Sequence, residues 1–200
     1  MLYSKDIQQF DVQSYLETKA PNNGSFFAIA IDGRGGSGKT LLAVYLRQVL
    51  LGFAVLNGDD YFEPTPNGAT WGGFNEDRLE QDVLKPLQKA SETIGYRPYI
   101  WEEEAVAPVR PITTTGSVCL ERCYTFAMNV PWDLKIWVET PKELCLERGL
   151  SREAVERDKV EKAWRGVWWP KEDAYISDSK PSEQAEVVLF GTQDFRDQIV

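Results

Sequence analysis

The sequence predicts an α/β fold: a doubly wound, mostly parallel, five-stranded sheet in one domain over 1–200. Two observations carry this reading. Short apolar runs alternate with longer stretches of helical periodicity along the whole chain. A glycine-rich loop, Gly33 to Gly38, joins the first apolar run to the first strong helical pattern.

The elements follow in order. Ile7, Phe10, Ser14 and Tyr15 recur at helical spacing, predicting a modest helix over 5–19 that Pro21-Asn22-Asn23-Gly24 ends. Phe26 to Ile31 is wholly apolar, as befits a strand covered on both faces. Thr40 to Leu51 reads as a helix closed by Gly52, and Phe53 to Leu56 as a second strand running into Asn57-Gly58-Asp59-Asp60. Residues 63–73, with two prolines and three glycines, read as a loop. Glu76 to Ala90 is helical, with Leu79, Val83, Leu84 and Leu87 on one face. Tyr96 to Trp101 is extended or irregular, and Val106 to Thr115 a surface excursion. Ser117 to Glu121, Leu134 to Val138 and Val187 to Phe190 supply the remaining strands. Pro141 suits a first helical position, followed by a charge-rich helical pattern over 142–165. Trp164 and Trp168 share a helix face that packs on the sheet, and Trp169-Pro170 should break that helix.

Composition narrows the function. The chain has 200 residues, 22 Lys+Arg against 31 Asp+Glu, and a net charge of −9. That balance argues against a nucleic-acid partner but not against a small anion held by a local ring of donors. No apolar stretch approaches the length of a membrane span, and the first residues do not read as a signal peptide. Cys119, Cys123 and Cys145 cannot all pair and form no Cys-x-x-Cys, so they read as reduced thiols of a cytoplasmic protein. With no histidine in the chain, a zinc site is disfavoured.

Gly33-Arg34-Gly35-Gly36-Ser37-Gly38-Lys39-Thr40 fits the phosphate-loop pattern G-x-x-x-x-G-K-[ST] in full. Its glycines let successive N–H groups turn inward as an anion nest, and the following helix N-terminus adds partial positive charge. Lys39 would reach the β- and γ-phosphates of ATP, Thr40 would place its hydroxyl on Mg²⁺, and Arg34 would face solvent. The fold is thus expected to be of the P-loop NTPase type. Asp59 and Asp60 leave the second strand at the edge where the phosphate loop leaves the first. Asp59 is placed to accept the proton of an attacking hydroxyl, or to hold that hydroxyl in line. Glu121 closes the third strand, where an acid can bind Mg²⁺ directly or through water.

These residues together resemble the uridine kinase and phosphoribulokinase group of P-loop kinases, especially its short bacterial uridine-kinase-like members. The resemblance runs from about Ile29 to Gly191. It rests on Ile31-Asp32-Gly33 before the loop and on Asp59-Asp60-Tyr61-Phe62-Glu63-Pro64. Arg78-Leu79 through Leu87, Tyr96-Arg97-Pro98-Tyr99 with Trp101, and Arg148-Gly149-Leu150 with Arg152 also match, as does Glu172-Asp173-x-Tyr175. The resemblance implies a kinase of a small hydroxylated acceptor such as a nucleoside. It implies Asp59 as base, Lys39, Thr40 and Glu121 on phosphate and Mg²⁺, and a helical lid near residues 148–165 whose Arg148 and Arg152 act on the transferring group. It also puts Tyr61, Asp77, Tyr96, Tyr99 and Trp101 beside the acceptor. The oligomeric state is open, with a homodimer one option.

The departures from that group lie on the acceptor side. The chain has no histidine, Gly73-Phe74-Asn75-Glu76-Asp77 stands where the group has a sugar-binding Asn-Phe-Asp-His-Pro, Arg122 replaces a glycine, and Tyr61-Phe62 inverts the usual order. Two alternatives to a nucleoside kinase therefore stand: a kinase of another metabolite, such as a sugar or a pantothenate-like acceptor, or a nucleotide-binding regulatory module that transfers nothing.

Overall fold

A computed structural model describes residues 2–3, 9–21, 26–63, 73–152 and 157–200. The start of the helix expected at 5–19, the turn at 22–24, most of the 63–73 loop and residues 153–156 of the expected lid lie outside the described residues. In chain order the first elements are β1 (Leu2–Tyr3), α1 (Val12–Glu17), β2 (Ala28–Gly33), α2 (Lys39–Val49) and β3 (Ala54–Asn57). A 3₁₀ turn, Gly58–Tyr61, follows β3. Helix α3 runs from Glu76–Leu79 through a π turn at Glu80–Leu84 into Lys85–Gln88. Then come β4 (Thr93–Tyr96), β5 (Tyr99–Ile100), β6 (Ala105–Val106), β7 (Arg110–Thr113), β8 (Val118–Glu121) and β9 (Leu134–Glu139). Helix α4 is Lys142–Ser151; α5 spans Arg157–Ala163, a π turn at Trp164–Trp168 and Trp169–Ser179; α6 is Pro181–Gln184 and β10 Val187–Phe190.

The central sheet has the order β1-β10-β9-β2-β8-β3, and every pairing in it is parallel. All five expected strands are present, and β1 adds a two-residue edge strand too short to leave a pattern. Period-two alternation sends Ala28 and Ala30 to one face with Leu56, Leu79, Val83 and Leu87, and Ile29 and Ile31 to the other with Leu42, Leu46 and Val12. The sheet is thus covered on both sides, which is why its strands are apolar throughout. From β2 the chain crosses through α2 to β3 on one side of it, while β9 lies on the other side. The crevice at this reversal, beyond the strands' carboxyl ends, is where the phosphate loop emerges.

Four expectations are corrected. Helix α1 starts at Val12 and the described residues 9–11 are not helical, because Asp11 caps the helix, accepting from the Ser14 N–H at 2.8 Å, while Phe10 bridges to Ile199. The excursion at 106–115 contains β7, which pairs antiparallel with β4 and buries Ile94; its Pro111 sits in a two-stranded ribbon whose free edge tolerates a missing donor. Trp169-Pro170 does not end a helix, since the widened π turn directly ahead lets the ring in and the helix continues to Ser179. Trp164 and Trp169 pack not on the sheet but with Cys145, Leu146 and Leu150 of α4, and Trp168 remains half-exposed against Trp164. Among the described residues no helix is long and apolar enough to cross a membrane.

Candidate active site

The phosphate loop fills the β2–α2 junction. Gly36 adopts φ +75°, and a Cβ there would lie 2.3 Å from the Cys145 carbonyl, so the loop is pressed onto α4. Lys39 is buried, with Nζ donating to the carbonyls of Gly33 (3.0 Å) and Arg34 (2.8 Å) and lying 3.3 Å from Cys123 Sγ. Burial alone would lower its affinity for the proton, but Cys123, Glu121 and Asp32 outweigh it and hold the ammonium charged. Asp32 is fully buried and accepts four hydrogen bonds, from the N–H groups of Gly33, Tyr124 and Phe126 and from the Tyr175 hydroxyl. Burial still pushes its carboxyl above the ordinary range.

Thr40 donates its hydroxyl to Glu121 at 3.0 Å, so the two expected Mg²⁺ groups converge from α2 and β8. Register explains it: Glu121 lies beside Ile31 of β2 and Asn57 of β3, at the carboxyl end of the sheet. Burial raises the Glu121 pKa to about 7, against the lowering pull of Lys39 and Thr40 and with a further push from Asp59 and Asp60. A hydroxyl and a carboxylate are the donor set that Mg²⁺ takes when phosphate and water complete its shell. Those residues fit the ion.

Asp59 opens from the 3₁₀ turn, where Asn57 accepts its N–H at 2.9 Å, and its side chain is 70% exposed. Arg122 Nε lies 3.8 Å from its carboxylate. The Arg122 guanidinium is buried over the Phe74 ring and packs so closely on Gly58 that a Cβ there would meet its Cδ at 2.5 Å. Asp60 points elsewhere, accepting from the Tyr96 hydroxyl at 2.5 Å.

The acceptor-side candidates divide. A cavity of about 520 Å³ is lined by Asp77 and Tyr99, together with Phe62, Asn75, Arg78, Gln81 and Arg97 among others. Phe62, Tyr99 and Trp101 form an aromatic group with ring centroids 4.6–5.1 Å apart. The structure does not bring Tyr61 there. The 3₁₀ turn drives its ring into the core under Arg78 and presents Phe62 instead. Arg78, matched in the sequence but given no role there, donates from Nη2 to the carbonyls of Asp60 (2.7 Å) and Phe62 (3.2 Å), tying α3 to the turn that carries Asp59.

The lid candidates also divide. Arg148, on α4, donates to the carbonyls of Gly191 (2.8 Å) and Ser37 (3.4 Å), bracing the loop against the end of β10. Arg152 caps the end of α4 and is exposed. Arg34, expected in solvent, is corrected: it pairs with Asp173 at 2.7 Å and Glu172 at 3.3 Å, because α5 covers the loop. Glu172 was quoted in the motif but given no role; its three-residue spacing from Tyr175 was the available signal that both share one face of α5.

No protein-family model and no curated protein matches the chain. Solved structures do. A protein described as a possible uridine kinase from Bacillus stearothermophilus aligns with a TM-score of 0.59 at 18% identity, over 88% of this chain and 95% of the other. A protein assigned as a fructose transport system kinase from Silicibacter sp. TM1040 aligns with a TM-score of 0.59 at 17% identity, over 88% and 96%. The YGR205w protein aligns with a TM-score of 0.53 at 13% identity, over 90% of each chain. With the loop geometry above, these likenesses show the fold: an α/β fold of the P-loop NTPase type.

Proposed function

We propose that the chain is an ATP-dependent kinase that phosphorylates a hydroxyl of a small molecule, a nucleoside such as uridine being the acceptor the motifs favour. The observation that carries the reading is the meeting, at one sheet edge, of the Lys39–Thr40–Glu121 phosphate site and the exposed Asp59, with the aromatic cavity beside the same turn. The acceptor oxygen forms its bond to the γ-phosphorus as the bond to the β-bridging oxygen breaks. Asp59 takes the hydroxyl proton, and ADP carries the electron pair away. Lys39 exchanges its loop carbonyls for phosphate oxygens. Thr40 and Glu121 would hold Mg²⁺, whose charge, when it is bound, offsets that of the phosphates. Arg148 and Arg152 belong to the element that closes over the nucleotide and excludes water. The Phe62–Tyr99–Trp101 group supports a planar or ring-shaped acceptor, since aromatic faces stack on such rings.

The test is a γ-labelled ATP screen over nucleosides, sugars, gluconate and pantothenate, with label expected in a nucleoside monophosphate. Arg122 on Asp59 favours a second reading, a nucleotide-binding module that transfers nothing. Asp59→Asn separates the two, because a kinase loses turnover while keeping ATP affinity. Label in no acceptor of the panel, with ATP bound, sinks the kinase reading.

A further inference from the structure

Helix α5 grips the phosphate loop at two points. Glu172 Oε1 accepts the N–H of Gly35, inside the loop, at 2.9 Å. One turn later, the Tyr175 hydroxyl donates to Asp32 at 2.7 Å, and Asp32 in turn accepts the N–H of Gly33, the loop's first residue, at 2.6 Å. Glu172 is 5% exposed. The fit around Gly35 is close: a Cβ there would meet Trp164 at 3.1 Å and Glu172 Oε1 at 3.2 Å, so α5 packs tightly on the loop at this point. Arg34 then closes the contact from the loop side by pairing with Glu172 and Asp173, and Lys142 of α4 holds Asp173 at 2.5 Å. A carboxylate so near a triphosphate site would repel its ligand if left alone. Arg34 offsets that charge within the same contact.

We infer that Glu172 is a positioning residue for nucleotide binding, a brace that holds Gly35 and Arg34 so that the rest of the loop keeps its N–H groups gathered for the phosphates. The geometry favours a brace over a competitor for the nest. The carboxylate is buried in packed side chains rather than set in an open anion cavity, and its partner Tyr175 fixes the neighbouring loop residue through a fully buried Asp32.

The inference rests on the nucleotide reading of the loop, and calorimetric titration of the full chain with ATP and ADP separates the two. Glu172→Ala is expected to weaken both nucleotides about tenfold or more, as loss of a buried charge-assisted hydrogen bond does. Glu172→Gln, which keeps an oxygen for the Gly35 N–H, is expected to recover most of that loss. Hydrogen exchange at the Gly35 amide gives a measurement that needs no variant: protection that persists when ATP binds supports the brace. Wild-type affinity in Glu172→Ala, tighter binding in it, no recovery in Glu172→Gln, or loss of Gly35 protection on adding ATP overturns the brace. A wild-type chain that binds neither nucleotide overturns the reading of the loop itself.

Discussion

The phosphate loop and the acceptor cavity lie at the same sheet edge but are built in opposite ways. The loop is held from every side: Lys39 by two loop carbonyls, Gly36 against Cys145, Gly35 under Glu172, and Ser37 through the Thr140 hydroxyl at 2.9 Å. The cavity is walled by Phe62 and Glu63 after the 3₁₀ turn, the first half of α3 with Asn75 ahead of it, Arg97 and the short β5–β6 ribbon, with the neighbouring Trp101 56% exposed. A group common to every nucleoside triphosphate can be met by fixed main-chain donors, whereas acceptors differ and are met by side chains on exchangeable loops. On the proposed reading, the tight half would carry nucleotide binding and the open half specificity.

Four changes break or sharpen that contrast. The largest effect is expected from Asp59→Asn, which should lower kcat by roughly two to four orders of magnitude while leaving ATP affinity within about twofold, as measured by steady-state kinetics beside calorimetry. Gly36→Ala comes next, because the left-handed backbone and the 2.3 Å approach to the Cys145 carbonyl leave no room. It should cost about 2 kcal/mol or more of stability, read from urea unfolding, with loss of nucleotide binding. A melt unchanged by that substitution would mean the loop is not pinned on α4.

Tyr99→Ala should act on the other half only, raising the acceptor KM about tenfold with the KM for ATP unchanged. Equal changes in both constants would erase the division of labour. The smallest effect concerns Glu121, whose pKa burial raises to about 7 from 4.5. An acid whose folded pKa is raised binds its proton more tightly when folded. Its contribution to stability is thus fully present below about 4.5 and is lost as pH rises through about 7. In metal-free buffer Glu121→Gln should accordingly melt above wild type at pH 8, and the gap should narrow toward pH 5. A gap that widens on acidification would show that the carboxylate is stabilised as an anion.

Residues in register told of the fold because strand pairing converts sequence spacing into position. The apolar runs at Phe26–Ile31, Phe53–Leu56, 117–121, Leu134–Val138 and Val187–Phe190 all became sheet strands, and Glu121 arrived beside Thr40 as its strand-end placement implied. Tyr61 and Phe62 show the limit. Both are aromatic and adjacent, and only the 3₁₀ turn after β3, which takes in Tyr61 and ends before Phe62, decides which is core and which faces the cavity. Likewise, Trp169-Pro170 carries a breaker's composition, yet a π turn several residues long absorbs it.

By itself the chain determined the alternation of strands and helices, the phosphate loop and the acids at the strand ends, because each is a local pattern of spacing and backbone permissiveness. Only the tertiary structure decided that Arg34 turns to α5, that Glu172 reaches the loop from 137 residues away and that Arg122 settles against Asp59. Those contacts join segments that share no period and no neighbourhood in sequence. They exist because burial forces each charged group to find whichever partner packing has brought near.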